Sequence, residues 1–207
     1  MATTYKMIYI NARGRGELLR LIFAYKSIEF EDERVAVPDG VAKAREESPY
    51  GILPVLHTEG KVLSGNGNIA RYLAEKFELA GGNALENAEL YGLIDAMEDL
   101  WGKMALVFFE TDPQKKAELK TKVLSTAVPV TLSKLEAAAQ KNGSAEGWIY
   151  KNKVSYADFG VFALFDTLGS HAPPELLSKF PALKKIYDNV QKIESISKYL
   201  AVRPKTE

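Results

Sequence analysis

The chain contains no cysteine and only two histidines. The first absence excludes a disulfide framework and a cysteine nucleophile. His57 and His171 stand far apart with no cluster of further ligands around them, so neither reads as a metal or catalytic residue, and no metal is expected. An excess of one charge is also missing: 27 Lys and Arg balance 27 Asp and Glu, which removes the basic surplus that marks nucleic-acid binders. No window approaches the roughly 20 consecutive apolar residues of a membrane helix. The opening stretch, MATTYKMIYINARGRGE, turns charged before any signal-peptide core could form. Repeats and low-complexity segments are absent. The expectation is a soluble cytoplasmic protein with neither nucleic acid nor membrane as partner.

The chain itself divides into two kinds of pattern. YKMIYI (Tyr5–Ile10) is aromatic and β-prone and predicts a buried strand. GRGELLRLIFAYKSI follows with Leu18, Leu19, Ile22, Phe23 and Tyr25 at helical spacing. FEDERVAV (Phe30–Val37) predicts a second, charged strand, and PDGVAKAREESPYG a breaker-rich connection holding one or two helical turns. LPVLHTEGKVL predicts two short strands around a Glu59-Gly60 turn, and the helix after it runs from Gly67 to about Phe77. The order β-α-β-α-β-β-α makes a small α/β sheet domain. ELAGGNAL reads as a linker. From Glu86 onward long amphipathic helices dominate and strand alternation is absent, with one helix interrupted near Pro129. Ser155 and Asp158 occupy the N-cap and N3 positions of a capping box with a shortened acid.

This plan resembles the glutathione transferases, and the detail resembles their sigma class. That class includes nematode and arthropod enzymes, haematopoietic prostaglandin D synthase and the S-crystallins. The segments that carry the likeness are YKMIYINARGRGELLRLIFAY, PYGILPVL, NIARYLAEKFELAG, YADF and AVRPKT, spread over nearly the whole chain. The resemblance implies a thioredoxin-like α/β N-terminal domain, residues 1–79, and an all-α C-terminal domain, residues 80–207. Glutathione is the implied co-substrate, held at the seam of the two domains, and a homodimer is the implied assembly.

The resemblance also assigns residues. Tyr9, at the end of the first strand, matches the catalytic tyrosine, whose phenol stabilises the glutathione thiolate. Arg15 matches an arginine that assists it; the physical case is that a nearby cation favours a charged sulfur. Pro54 matches a cis-proline, and Leu53 before it presents the backbone that pairs with the cysteinyl part of glutathione like an added strand. Ile52, Val41, Arg45, Gly65 and Asn66 complete the implied glutathione site. Asp99 matches an acid that reaches across from a partner subunit. Trp101, Met104 and Phe108 share a helical face and match the apolar wall of the electrophile pocket; each could equally be core by pattern alone.

The departures are specific. The family carries Gln-Ser where this chain has Gly65-Asn66, a tryptophan where it has Val41, and a lysine where it has Arg45. Gly65 and Val41 cannot supply side-chain hydrogen bonds, and at roughly 1 kcal/mol each glutathione affinity falls about 10- to 100-fold. Asn66 is expected to replace the serine as helix cap and anion contact, because asparagine caps as well as serine does. The implied activity is conjugation of glutathione to small apolar electrophiles. Two alternatives stay open at this point: a non-catalytic crystallin-like or carrier protein, and a glutathione-dependent isomerase of prostaglandin-type substrates.

Overall fold

The computed structural model describes residues 4–206. Its contacts divide the chain into two compact units, one reaching Ala80 and including the segment from Gln191 onward, the other spanning Gly81–Val190.

The first unit is built on β1 (Lys6–Ile10), α1 (Gly16–Tyr25), β2 (Glu31–Val35), α2 (Asp39–Glu47), β3 (Val55–Thr58), β4 (Lys61–Ser64) and α3 (Asn66–Lys76). The sheet order is β2-β1-β3-β4. β1 runs parallel to β2, as a helical crossover requires, and antiparallel to β3; β3 and β4 form the hairpin around Glu59-Gly60. The period-2 alternation of β1 sorts its side chains between two faces. Ile8 joins Ala44 of α2 and Val55 in a small apolar cluster. On the other face Tyr5, just before β1, meets Phe23 of α1 and Phe77, which follows α3. The edge strand β2 has no buried residue and carries EDERV, with Lys6 bridging Glu31 and Glu33 across the ladder. A charged edge of this kind resists pairing with another chain.

The expected division at residue 79/80 leaves out one feature. The last helix, α10 (Glu194–Val202, numbered after the helices of the second unit), packs on α1 and so belongs to the first unit. Ile196 is fully buried there, and Tyr199 and Arg203 reach the carboxylate of Glu17.

The second unit is all helical among the described residues, apart from an isolated bridge between Gly143 and Lys151. α4 (Ala84–Phe109) starts at Asn83, whose side chain accepts from the N–H groups of Leu85 and Glu86. α5 (Pro113–Lys122) leads through a π-helical turn, Val123–Ala127, into α6 (Val128–Asn142). This is the interruption expected near Pro129. A proline has no N–H and its ring crowds the carbonyl four residues back, here that of Ser125, so the turn before it widens. α7 (Tyr156–Leu168) is buried at twelve of its thirteen positions and forms the unit's centre, consistent with apolar residues on every side. Its capping box is formed as expected: Asp158 accepts from the N–H and hydroxyl of Ser155 at 2.8 and 2.9 Å. α8 (Pro174–Leu177) is one turn, and α9 (Pro181–Lys192) follows.

Candidate functional site

Tyr9 is the penultimate residue of β1 and is 7% exposed. The loop after it folds back over its ring. The backbone N–H of Arg15 donates to the Tyr9 hydroxyl oxygen at 3.2 Å. The approach is close enough to demand glycine on both sides of Arg15. A Cβ on Gly14 would stand 2.9 Å from the Tyr9 oxygen, and one on Gly16 would stand 2.5 Å from its ring carbon Cδ1. The Arg-Gly-Arg-Gly pattern is therefore a steric requirement of holding this phenol under a backbone amide. The sequence marks this turn by its Arg-Gly-Arg-x-Glu pattern; the contact of both glycines with the Tyr9 side chain is what the structure adds.

Below this loop lies a buried ionic network. Arg20 is fully buried. Its Nη1 donates to the Ala12 carbonyl at 2.8 Å and to Glu17 at 3.3 Å, and its Nε and Nη2 engage Asp32. Its guanidinium carbon lies 5.9 Å from the centre of the Tyr9 ring. Glu17, 1% exposed, also accepts from Tyr199 and Arg203. Burial, reinforced by the Glu17 charge, pushes the Tyr199 hydroxyl well above its ordinary pKa, so it remains a donor.

The Leu53–Pro54 peptide bond is cis. The segment leading to it is fixed by a residue the sequence did not single out. The Ser48 hydroxyl donates to the Ile52 carbonyl at 2.8 Å and accepts from the Ile52 N–H at 3.0 Å. The carbonyl of Pro54 accepts from the N–H of Gly65, which ties this segment to the start of α3.

That start differs from expectation. Gly65, not Asn66, is the N-cap of α3, and Asn66 is its first helical residue, buried at 3% exposure. Gly65 has φ +85°, which turns the chain into the helix one residue earlier than a capping asparagine would. A Cβ there would stand 2.9 Å from Ile52 Cδ1, the tip of a half-exposed side chain, so the backbone conformation is the stronger reason for glycine. Asn68 donates back to the Ser64 carbonyl at 3.3 Å. On α2, Val41 is buried and Arg45 exposed. The first unit thus brings Tyr9 and the Arg15 backbone together, and links the segment through Pro54 to Gly65.

In the second unit, Trp101 is buried, Met104 half-buried and Phe108 43% exposed, touching the Phe109 ring edge-on at 5.0 Å. The three lie on one face of α4, increasingly open toward its C-terminal end. Asp99, two residues before Trp101, points away from that face by helical geometry and is exposed. Among the described residues no group of three or more His, Asp or Glu could hold a metal ion.

Comparison with known proteins gives the geometry its family. Residues 16–83 match the N-terminal domain of glutathione S-transferase and residues 98–203 its C-terminal domain. The mouse haematopoietic prostaglandin D synthase is 34% identical over 98% of both chains. A glutathione S-transferase of Anopheles gambiae is 30% identical over 98% of both. Among solved structures, rat hPGDS complexed with a quinoline superposes with a TM-score of 0.85 at 33% identity, covering 98% of each chain. The glutathione S-transferase from Ascaris lumbricoides gives 0.80 at 31%, again over 98% of each. A sheet domain with a tyrosine near the end of β1 and a cis-proline before β3, followed along the chain by a helical unit, therefore has its relatives: the chain belongs to the glutathione S-transferase family, as a sigma-like enzyme related to the haematopoietic prostaglandin D synthases and to nematode and arthropod transferases.

Proposed function

We propose that Tyr9 is the residue through which this transferase activates glutathione for attack on electrophiles. The observation that carries the reading is the hydrogen bond from the Arg15 amide to the Tyr9 oxygen. With one lone pair taken by a backbone donor, the phenol proton is directed away from the loop and is polarised toward an incoming acceptor. A free thiol has a pKa of about 8.5 and is mostly protonated at neutral pH. Lowering it by about 2 units takes about 2.7 kcal/mol. One charge-assisted hydrogen bond provides about 1.5–3 kcal/mol. A single well-aimed hydroxyl thus accounts for most of the activation, with Arg15 adding a cation.

Around that centre the other roles are proposed as follows. The Leu53 backbone, held by Ser48 and the cis-proline, pairs with the cysteinyl unit. Asn66 and the N–H groups at the start of α3 receive the glutamyl carboxylate, as helix N-termini receive anions. Arg45 attracts the glycyl carboxylate, while Ile52, Val41 and Gly65 provide shape without side-chain hydrogen bonds. Trp101, Met104 and Phe108 take the apolar electrophile. Asp99 acts on the glutamyl amine of a neighbouring subunit, so the working form is a homodimer. The cytoplasm is the proposed location; among the described residues no helix is long and apolar enough to cross a membrane.

The deciding experiment is conjugation of glutathione to an aromatic electrophile by wild type and Tyr9→Phe, with thiolate formation followed by ultraviolet absorbance. The variant is expected to lose about 10- to 100-fold in rate and to raise the thiol pKa. Equal rates and equal thiolate absorbance would remove Tyr9 from the mechanism. The 34% identity to haematopoietic prostaglandin D synthase favours a second reading, isomerisation of a prostaglandin-type endoperoxide by the same thiolate. Turnover of such an endoperoxide, measured beside conjugation, decides whether that activity is present.

A further inference from the structure

We infer that the C-terminal segment is a positioning element for Tyr9, acting through a buried relay from Arg203 and Tyr199 by way of Glu17 and Arg20 to the loop that holds the phenol. The inference rests on the reading of Tyr9 as the thiol's partner and extends it to residues nearly two hundred positions away in the chain.

The relay is continuous. Arg203 Nη1 donates to Glu17 Oε1 at 2.6 Å, and the Tyr199 hydroxyl donates to the same oxygen at 3.0 Å. The other Glu17 oxygen accepts from Arg20 Nη1 at 3.3 Å. The same Arg20 nitrogen donates to the carbonyl of Ala12, in the loop between β1 and α1. That loop continues directly into Gly14, Arg15 and Gly16, which enclose the Tyr9 ring and supply the amide to its oxygen. Glu17 itself sits one residue after Gly16, and its own N–H bonds back to the carbonyls of Arg13 and Gly14.

Three features set this apart from an ordinary surface tie. Glu17 and Arg20 are 1% and 0% exposed, so their charges are desolvated and depend on each other and on their partners for compensation. The loop they brace has no slack, because ring and glycine backbone are already in contact. Finally, the relay is anchored at the C-terminal end by two side chains, one in the last turn of α10 and one on the residue after it. Loosening Glu17 lets the first turn of α1 shift, and with it the Arg15 amide. A displacement of about 1 Å in a catalytic group is enough to cost up to about 100-fold in rate.

Charged and titratable groups face this region from every element packed on it. They are Tyr9 on β1, Arg13 and Arg15 in the loop, Glu17 and Arg20 on α1, Asp32 and Arg34 on β2, and Tyr199 and Arg203 at the C-terminus. Removing Arg203 takes away a formal charge and a hydrogen bond, whereas Tyr199→Phe takes away a hydrogen bond and leaves the formal charge unchanged. The test therefore uses both variants on the full chain, with Arg203→Lys as the conservative control and Tyr9→Phe as the reference. The readouts are the pH profile of kcat/KM, the thiolate absorbance of bound glutathione, and kcat and KM separately.

Arg203→Gln is expected to lower kcat about tenfold and to move the profile toward higher pH by about half a unit, with KM for glutathione changed less. Tyr199→Phe is expected to lower kcat about threefold in the same direction, and Arg203→Lys to recover most of the loss. Should Arg203→Gln fail to fold, Tyr199→Phe carries the decision. An unchanged pH profile and thiolate absorbance in a folded Tyr199→Phe and Arg203→Gln would overturn the inference, leaving the C-terminus a purely structural tie. If instead Tyr9→Phe has the wild-type profile, the reading of Tyr9 fails first, and the two failures are told apart.

Discussion

The Arg15 amide sits 3.2 Å from the Tyr9 hydroxyl oxygen, and the glycines on either side of Arg15 leave no room for a methyl group against the Tyr9 ring. The polarisation of the phenol and the compactness of the loop are therefore one feature. Gly16→Ala should separate them from overall stability. Its Cβ would stand 2.5 Å from the Tyr9 ring, so the ring or the loop must move. The fold should lose about 1–3 kcal/mol, as in other overpacked sites. The rate should fall about tenfold or more at a glutathione concentration that saturates the variant. Combining it with Tyr9→Phe should cost little further activity, because both act on the same hydrogen bond. Conjugation assays on the two single variants and the double variant check this; additive losses would mean that Gly16 acts elsewhere.

Gly65 and Ile52 form a second steric pair. The glycine combines φ +85° with an Ile52 methyl 2.9 Å from where a Cβ would stand. Gly65→Ala should therefore destabilise the protein by about 1–2 kcal/mol from backbone strain, with a further penalty from the Ile52 contact. Adding Ile52→Ala should return the contact part and leave the backbone part. Urea midpoints of the single and double variants give the coupling directly. For the same reason Gly65→Gln alone should not tighten glutathione binding, and calorimetric titration is the measurement. The positive φ at position 65 is the main obstacle to restoring the family's glutamine, and the exposed tip of Ile52 is the smaller one.

Much of this was legible in the sequence because it is written locally. The strand and helix order, the Glu59-Gly60 hairpin and the Ser155–Asp158 capping box each depend on residues within a few positions of one another. The cis bond before Pro54 followed from the family resemblance. The cap of α3 was misplaced by one residue because residue type alone favours asparagine, whereas the positive φ of Gly65 is set by its neighbours in the fold. Glu17 meeting Arg203, 186 residues on, leaves no periodic trace. Each looks like an ordinary charged residue until the helix carrying Tyr199 is laid against α1. Ser48 and Glu136 were invisible for the same reason: their partners are backbone groups that any residue type would offer.

Glu136 illustrates how such a residue can be tested. It is 7% exposed, and its two oxygens accept from the N–H groups of Ala182 and Leu183 at 3.0 Å each. These are free donors at the start of α9, where Pro181 has no N–H to give. A carboxylate there satisfies two otherwise orphaned groups and complements the helix dipole. Glu136→Ala should destabilise the protein by about 2–4 kcal/mol. Glu136→Gln keeps an acceptor but not the charge and turns a donor toward the helix start, so it should recover less than half of that loss. Thermal or urea unfolding of the two variants checks the order.

Asp158 offers a stability effect whose sign depends on pH. Burial pushes its carboxyl up to about 6 from an ordinary 3.8, against the pull of the bonds it accepts from Ile149 and Ser155. A carboxyl with a raised folded-state pKa binds its proton more tightly in the folded than in the unfolded chain. Its contribution is therefore fully present below about pH 4 and is lost as pH rises through about 6. Asp158→Asn cannot titrate and also turns an amide donor toward backbone N–H groups, so it should be less stable than wild type throughout. The difference between the two proteins should be largest near pH 4 and shrink by up to about 3 kcal/mol by pH 7. Glu59, Glu86 and Glu194, held below their ordinary values by lysine partners, act in the opposite sense but are present in both proteins and cancel in the difference. Urea unfolding of both proteins across that range is the measurement. A gap independent of pH would mean that the three hydrogen bonds to Asp158 offset its burial in full.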